Sequence, residues 1–522
     1  MLYLVNLSSG VEGIQNMENT ISKKQFKHKT NRPIVLVSVM LAMFMGAIEG
    51  TIVSTAMPAI VAELGDFSLY SWVFSSYLLM NTVTVLIYGK LSDLFGRKPV
   101  LNFGIIIFLI GSILCGLAES MVMLIVFRFI QGFGAGAITP IATTIVGDIY
   151  SKEERAKIQG YLSSVWGISA VLGPALGGFF VQFTSWKLVF WINIPLGILA
   201  MIGISLFLHE NIEKKKKQID YVGALLITIS TSLFMFVLVE GGNRWDWLSV
   251  PIMSLITIGI FVIILFYFHE QKAAEPIMPF SIWKDRTILI ANLTSLTTGI
   301  LLIGVSSFLP TFVQGVMEKS ALIAGFALTT MSIGWPIAST FSGTLLLKMG
   351  VRTTSLIGGV TLILGSLMFV TLTPEAGPVW AAVGSFLVGI GMGMTTTTFI
   401  VSIQSSVSWQ QRGIATASNS FMRNLGNTIG AAFLGGILNS QLMSYLTKYG
   451  NEQTSNLTVD STNLLLNPEV RNTLSGDVLQ LLQGGLTHSL HVVYIVVLLL
   501  AIISFILIWF LPRENKNSVK NE

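Results

Sequence analysis

Residues 89–100 read GKLSDLFGRKPV and connect two long apolar stretches of the chain. Gly89 and Gly96 lie seven positions apart, a spacing that permits a tight turn and close contact between helices. Asp93 lies among basic residues at a predicted helix end, where its carboxylate can accept charge-assisted hydrogen bonds. A loop that is merely basic would need neither the acid nor the paired glycines. We therefore expect this connection to form a specific ionic contact.

The composition of the chain excludes a water-soluble fold. Of the 522 residues, 52% are hydrophobic and only 11% are charged, whereas soluble domains carry about 25% charged residues. The single cysteine, Cys115, lies in an apolar stretch and excludes both a disulfide framework and a cysteine-based metal site. These features predict an all-α integral membrane protein without a bound metal.

Apolar stretches of the chain predict fourteen membrane spans, because a bilayer core requires about 20 residues per helix. Residues 1–33 are polar and contain no cleavable signal sequence, so we expect the first span to stay in the membrane. The predicted spans lie near 34–58, 70–91, 100–118, 121–145, 158–183, 188–208, 219–240, 249–268, 287–313, 321–346, 353–372, 377–401, 413–438 and 488–511.

The positions of Lys and Arg support this prediction, because cytoplasmic loops carry these residues in excess. With the N-terminus inside, the predicted cytoplasmic connections and tails hold most of the 31 Lys and Arg residues. A miscounted span would invert every later loop, so we expect an even number of spans with both termini cytoplasmic. The predicted external loops hold only Lys187, Arg244, Lys319, Lys448 and Arg471.

The two halves of the chain contain related glycine patterns. Residues 343–352 keep the glycine spacing of residues 89–100 and a following arginine, but they lack the aspartate. Residues 132–136 read GFGAG, and residues 389–393 read GIGMG. Paired repeats of this kind are typical of secondary transporters, in which two halves rock about a site near the membrane midplane.

Three segments of the first half of the chain resemble motifs of the major facilitator superfamily. The connection at 89–100 is similar to the G-x-L-a-D-r-x-G-r-k signature, and residues 128–132 are similar to the R-x-x-Q-G motif. Residues 167–178 resemble the g-x(5)-G-P-x-x-G-G signature that marks antiporters within the superfamily. Small residues at these intervals allow close helix contact, and Pro174 bends the helix. The same pattern would also suit an interface that serves only the packing of helices.

A fourth segment narrows the resemblance. Residues 48–58 read IEGTIVSTAMP and resemble the l-D-x-T-v-v-n-v-A-L-P motif of the fourteen-helix drug:proton antiporters. Glu49 stands where that motif usually has Asp, Ser54 replaces Asn, and Met57 replaces Leu. The glutamate keeps a carboxylate, one methylene further from the backbone. The resemblance extends over essentially the whole chain.

The resemblance implies a major-facilitator fold with two pseudo-symmetric six-helix bundles and two extra central helices, fourteen transmembrane helices in all. The single cysteine and the Lys- and Asn-rich tails favour a bacterial cell membrane, and we expect a monomer there. The implied segments are a cytoplasmic tail at 1–33, a bundle at 34–208, the extra helices at 219–268, a second bundle at 287–511 with an extracellular loop at 441–487, and a cytoplasmic tail at 512–522.

Charges inside the predicted spans are candidates for coupling. A charge at bilayer depth costs at least ~2.5–3.5 kcal/mol on insertion scales, so it usually faces a cavity and has a function. Glu49 and Arg128 lie at similar depth and could pair across a cavity, where Glu49 could exchange protons. A purely structural ion pair is the alternative. Arg423 has no acid at similar depth; it could balance a substrate, balance Glu49, or bond to backbone carbonyls.

The predicted gate and hinge come from the motifs. Asp148 is a candidate partner for Arg97 at the cytoplasmic end, with a solvated surface pair as the alternative. The predicted gate residues are Gly89, Asp93, Gly96, Arg97 and Asp148. The predicted antiporter hinge comprises Gly167, Gly173, Pro174, Gly177 and Gly178.

We expect an apolar substrate pocket, because methionine and aromatic surfaces adapt to several ligands. With Glu49 opposed by Arg128 and Arg423, such a pocket should favour neutral, zwitterionic or monocationic amphiphiles over dications. The candidate substrate-binding residues are Met43, Phe44, Gln131, Phe308, Phe312, Met331, Trp335 and Arg423.

The sequence thus predicts a proton-coupled antiporter that exports amphiphilic drugs or other toxic organic compounds by alternating access. The alternative is a secondary transporter of one specific metabolite or lipid. The sequence contains no G-x-x-x-x-G-K-[ST] loop for ATP-driven pumping, and no zinc motif or Ser/His/Asp set indicates an enzyme. The expected partners are small amphiphilic substrates, protons and the lipid bilayer, without a cofactor or nucleic acid.

Overall fold

The computed structural model describes residues 30–65, 69–210, 220–241, 245–450, 457, 459–466 and 471–512. Most of the two predicted tails lies outside the described residues. Within the described residues the regular structure is helical, apart from one isolated β-bridge between Gly241 and Trp245. This architecture confirms the predicted all-α class.

Six long helices make up the described part of the first half of the chain. Buried apolar residues from these helices pack into the core of this half. One helical turn, Leu188–Trp191, precedes the sixth. The six helices are α1 (Arg32–Leu64), α2 (Tyr70–Phe95), α3 (Arg97–Gly116), α4 (Met121–Ile149), α5 (Lys152–Phe183) and α6 (Asn193–Phe207).

An extra pair of helices, α7 (Tyr221–Glu240) and α8 (Val250–Glu270), precedes the second half. The second half contains α9 (Arg286–Thr311), α10 (Ala321–Val370), α11 (Gly377–Ser406), α12 (Arg412–Tyr449) and α13 (Gly476–Trp509). Helix α7 packs against α2 and α12, so the extra pair contacts both halves. Lys90 Nζ of α2 also lies 2.8 Å from Glu275 Oε2, just beyond α8.

Polar side chains fix the start of several helices by accepting hydrogen bonds from backbone N–H groups that have no partner within the helix. Ser120 caps α4 in this way. At α5, Ser151 and Glu154 bond to each other's backbone N–H groups in a capping box. Asp285 accepts from two backbone N–H groups at the start of α9.

Twelve helical segments of the described residues are long and apolar enough to cross a membrane. Helix α10 has 50 residues and would be about 75 Å long at ~1.5 Å per residue, more than twice the ~30 Å bilayer core. The chain turns within α10 at Gly350, so this helix has the length of two spans. Helix α12 has 38 residues but is more polar than the twelve. The count of fourteen spans remains a prediction that these two helices can accommodate.

The related glycines of the two halves adopt the same backbone conformation. Gly96, between α2 and α3, has φ 98° and ψ 159°. Gly350, within α10, has φ 80° and ψ 171°. Positive φ is accessible to glycine at little cost because it has no Cβ. The repeat seen in residues 89–100 and 343–352 is therefore also a repeat of backbone geometry.

The segment predicted as an extracellular loop, 441–487, is helical at both ends, because α12 continues to Tyr449 and α13 already begins at Gly476. Between them, the described residues include the short helices Val459–Thr462 and Asn463–Leu466. Leu465 is fully buried in the core of the second half. Apolar residues within this polar stretch continue the helical packing, which its overall composition conceals.

Helix α12 holds its polar face inside the protein. Asn419 Nδ2 donates to Ser295 Oγ at 2.8 Å and to Asn292 Oδ1 at 3.2 Å, both on α9. Asn292 Nδ2 donates in turn to Ser418 Oγ at 3.1 Å. These bonds satisfy amide groups that would be costly to leave unpaired in an apolar environment.

Candidate functional site

Glu49 and Arg128 form a buried ion pair between α1 and α4. Arg128 Nη1 donates to Glu49 Oε1 and also, at 2.7 Å, to Gln131 Oε1. The Arg128 Nε donates to the backbone oxygen of Val73 at 3.1 Å. Both charged side chains are fully enclosed, at 0% exposure for Glu49 and 1% for Arg128.

Neighbouring polar groups complete this ionic network. Asn193 Nδ2, at the start of α6, donates to Glu49 Oε2 at 2.9 Å. Gln131 Nε2 donates to Ser112 Oγ of α3 at 2.9 Å. The Arg128 guanidinium also lies 4.3 Å from the centre of the Tyr77 ring. Residues of α1, α2, α3, α4 and α6 therefore surround the pair, which lies inside the first half.

A second ionic cluster joins the two halves. Asp93 Oδ1 accepts from Arg97 Nη1 at 2.6 Å and from the backbone N–H of Gly413 at 2.9 Å. Asp93 Oδ2 accepts from the backbone N–H of Ile414 at 2.8 Å. A carboxylate of the first half thus caps the N-terminus of α12 in the second half, where the helix dipole also favours an anion.

Arg97 and Arg412 extend this cluster through Asp148. Arg97 Nε donates to Asp148 Oδ2 at 3.0 Å, and Arg412 Nη1 donates to Asp148 Oδ1 at 2.7 Å. Arg97 Nη2 also donates to the backbone oxygen of Trp409 at 2.9 Å. The halves are therefore held together at this end of the bundle, here called the Arg97 end.

Glu210 was not singled out by the sequence, yet it completes the Arg97 end. Its two carboxylate oxygens accept from the backbone N–H groups of Arg97 and Lys98, both at 3.0 Å. Burial raises the pKa of the Glu210 carboxyl above its usual range, and the two backbone N–H donors oppose that rise. Protonation of Glu210 would weaken its cap on the first turn of α3.

The predicted hinge glycines lie in different environments. A Cβ atom on Gly173 would lie 2.0 Å from Thr51 Oγ1 of α1, and one on Gly177 would lie 2.9 Å from the backbone oxygen of Ile52. A Cβ atom on Gly167 would lie 2.8 Å from the backbone oxygen of Ser332, which belongs to the second half. Pro174 is exposed within α5. A Cβ atom on Gly178 would meet nothing within 4 Å.

These contacts give a prediction with a built-in control. Gly173→Ala should reduce transport several-fold, because overpacking a tight contact costs about 1–3 kcal/mol and would force α5 away from α1. Gly178→Ala makes the same chemical change five residues further along the helix, where there is open space. We expect it to leave transport within about twofold of wild type, since it costs far less than 1 kcal/mol. Equal effects of the two substitutions in a flux assay would contradict this assignment.

A cavity of about 320 Å³ lies between the two halves, with α1, α2, α4 and α5 on one side and α9 to α12 on the other. Of the candidate substrate-binding residues, four line it: Met43, Met331, Trp335 and Arg423. The remaining four, Phe44, Gln131, Phe308 and Phe312, do not line it. Phe312 is fully buried beside His491 and Tyr494, and Gln131 belongs to the Arg128 network.

The position of Glu49 and Arg128 relative to the cavity differs from the sequence expectation. Glu49 and Arg128 do not line it, because the rotation of α1 and α4 turns both side chains into the first half. The surface of the lining is mainly apolar, but many amide and hydroxyl side chains are interspersed in it. These polar residues are Asn81, Thr139, Thr143, Gln159, Ser163, Ser306, Ser332, Thr396, Ser420, Asn424 and Asn427. Polar residues within apolar stretches were the signal in the sequence that could have identified them.

Comparison with known proteins places the chain among membrane transporters. Residues 39–431 match the model of the Major Facilitator Superfamily. The chain is 39% identical over 417 residues to "Multidrug resistance protein 3" of Bacillus subtilis (strain 168), covering 80% of this chain and 81% of that relative. It is 35% identical over 419 residues to "Multidrug transporter protein MdtP" of the same organism, covering 80% of this chain and 77% of the relative.

A solved structure shares the fold. The proton:xylose symporter XylE superposes with a TM-score of 0.59 at 12% sequence identity, covering 91% of this chain and 94% of the symporter. At this level of identity the likeness concerns the fold alone. It agrees with the two-bundle, all-α architecture described above.

Proposed function

Because this chain belongs to the major facilitator superfamily, we propose that it is a proton-coupled antiporter that exports amphiphilic organic compounds by alternating access. The observation that carries the proposal is the fully buried Glu49–Arg128 pair within apolar helices. The names of two relatives, a multidrug resistance protein and a multidrug transporter protein, support export of drugs. The chain is a multi-pass membrane transporter rather than an enzyme.

Glu49 is the proposed proton carrier. Its carboxylate holds both Arg128 and Asn193, so a proton on Glu49 removes the anionic partner of a buried guanidinium. Breaking a buried ion pair costs about 3–5 kcal/mol. That is comparable with the ~5.5 kcal/mol that shifts a two-state equilibrium from 1:99 to 99:1. Protonation of this one group is thus large enough to change which conformation prevails.

The change at Glu49 reaches the other half through α1 and α5. Two residues after Glu49, Thr51 Oγ1 donates to the backbone oxygen of Ser169 on α5 at 3.1 Å. On the same helix, Ser163 Oγ lies 3.2 Å from Ser339 Oγ of α10. Contacts between packed helices with two arrangements can carry such coupling, and a double-mutant cycle between positions 49 and 339 would measure it.

The Arg97 end is the proposed cytoplasmic gate. Opening the cavity at this end requires α12 to leave the Asp93 carboxylate and Asp148 to release Arg97 or Arg412. These are charge-assisted bonds, which contribute about 1.5–3 kcal/mol each. They stabilise the closed arrangement of this end without locking it.

The amide and hydroxyl side chains within the cavity lining favour the alternative of one specific substrate. A site built to hydrogen-bond a ligand strongly rejects analogues that lack the matching group. The two functions separate in one experiment with the purified chain in liposomes. A proton antiporter for drugs should transport several lipophilic dyes when a pH gradient is imposed. This transport should stop when an uncoupler collapses the gradient. Gradient-driven flux of only one sugar, amino acid or lipid would establish the alternative, and no gradient-driven flux would contradict both.

A further inference from the structure

Arg423 is an unpaired cation on the wall of the cavity. It lies on α12 and lines the space between the two halves. Among the described residues, no side-chain hydrogen bond, salt bridge or ring contact involves its guanidinium. A guanidinium is protonated at all physiological pH values, so this charge cannot be relieved by losing a proton.

Three other arginines inside the described helical bundle have carboxylate partners. Arg128 pairs with Glu49, Arg97 pairs with Asp93 and Asp148, and Arg412 pairs with Asp148. Arg423 is only partly exposed, and leaving a charge with reduced solvation and no partner is costly. Such a charge in a membrane protein usually faces a cavity or a ligand pathway. Arg423 differs from the other three in that its free side faces a cavity.

The lining contains no acid that could serve as its partner. Among the described residues around the cavity, Arg423 is the only charged one. Its neighbours on the same helix are Ser420, Asn424 and Asn427, which offer hydrogen bonds but no negative charge. Glu49, the acid that the sequence suggested as a counter-charge, is bound to Arg128 and Asn193 within the first half. An anionic group on a ligand would complete this pairing.

We propose that Arg423 recognises a carboxylate of the transported compound, so that the favoured substrate is an amphiphile with one carboxylate, either a monoanion or a zwitterion. This inference rests on the proposed function, since it takes the cavity to be the transport site. A carboxylate can accept two parallel hydrogen bonds from the N–H groups of a guanidinium, which fixes the orientation of the ligand and increases its affinity. Trp166, Met331 and Trp335 supply apolar surface for the remainder of such a molecule.

The proposal reverses part of the expectation drawn from sequence. With Glu49 in the cavity, a monocation would have been well tolerated. The lining instead presents one positive charge and no negative one, so a cationic amphiphile meets repulsion there. A volume of about 320 Å³ suits a compact ligand with one ring system, at the lower end of the ~300–1,000 Å³ typical of small-molecule sites.

The test uses three probes that share one aromatic body and differ in the head group: naphthaleneacetate, naphthaleneethanol and naphthaleneethylamine. Binding of each radiolabelled probe is measured on the full chain in nanodiscs, without a proton gradient. Wild type should bind the carboxylate at least ~10-fold more tightly than the alcohol or the amine, the size expected for a charge-assisted hydrogen bond. Equal or tighter binding of the amine would overturn the proposal with no variant required.

Substitutions of Arg423 test whether its positive charge causes the preference for the carboxylate. Arg423→Gln should lose the ~10-fold preference for the carboxylate while binding the alcohol within about threefold of wild type. Arg423→Lys should keep part of the preference, because it keeps the charge but not the planar fork. Lys448→Gln removes a cation from an exposed position of the same helix and should change nothing. Retention of the full preference by Arg423→Gln would overturn the proposal.

The binding assay separates this inference from the proposed function. A carboxylate preference that depends on Arg423, together with no gradient-driven flux, would refute proton-coupled export and leave the inference standing. Proton-driven export that is indifferent to Arg423 and to the head group would refute the inference alone.

Discussion

Replacing Glu49 by Gln should abolish gradient-driven transport while substrate binding persists. The glutamine oxygen can still accept from Arg128, and its NH2 group can donate to Asn193 Oδ1 once the Asn193 amide turns over, so the local shape of the network is kept. It cannot take up or release a proton, and it leaves the Arg128 charge without an anion. An uncompensated buried charge costs about 3–5 kcal/mol, which corresponds to more than 100-fold in the conformational equilibrium. We expect flux driven by a pH gradient in everted vesicles to fall to background.

Two variants control this prediction. Glu49→Asp should retain partial flux, because the related antiporter motif has Asp at this position. Glu63→Gln makes the same change on α1 at an exposed acid that accepts from Trp186 Nε1 at 2.8 Å. It should transport like wild type, since a glutamine oxygen can accept the same bond. Unchanged flux in Glu49→Gln would refute the role of Glu49 as proton carrier.

Replacing Asp93 by Asn should open the Arg97 end and slow transport by about 10-fold or more, the equivalent of one charge-assisted hydrogen bond. The asparagine loses the charge that Arg97 and the N-terminus of α12 both bind, and one of its side-chain atoms is a donor instead of an acceptor. The transport turnover is measured in everted vesicles. Spin labels at Lys157→Cys and Gln410→Cys, two exposed positions on opposite halves, measure the opening.

The matched control for this substitution is Asp285→Asn. Asp285 also caps a helix N-terminus, accepting from Thr287 N at 2.8 Å and from Ile288 N at 3.2 Å, but within one half. It should alter helix stability without lengthening the distance between the labels. Because Cys115 is the only cysteine in the sequence, a single substitution removes background labelling. Wild-type turnover and an unchanged label distance in Asp93→Asn would contradict the gate.

The sequence predicted the fold class and the family, because apolar length, positive charges and the 89–100 motif each depend on local residues. It also placed Glu49 at the depth of Arg128, and the structure brings the two together. It did not predict which way they face. Depth follows from the rise per residue, whereas orientation depends on how α1 and α4 pack against their neighbours, which no single segment encodes.

The cavity shows the same limit. Phe308 and Phe312 were candidates because they are aromatic, but an apolar side chain in a membrane helix can equally face lipid, core or cavity. Asn81, Gln159 and Asn427 carry more information, since an amide avoids lipid and so must face the interior. Arg412 was visible in the sequence only as one more cation in a connection, and its bond to Asp148 depends on the meeting of both halves.

The polar character of α12 has a consequence for biogenesis. As this segment leaves the ribosome, the translocon must pass it into lipid although it carries Arg423, Asn419, Asn424 and Asn427. One central arginine alone adds about 2.5–3.5 kcal/mol to the free energy of insertion. Partner residues on α9, such as Ser295, are synthesised earlier and can form hydrogen bonds with those amides as soon as α12 is inserted. Substitutions that make α12 more apolar should therefore raise the yield of inserted protein and lower its transport, so selection for expression and selection for activity would favour different residues in one helix.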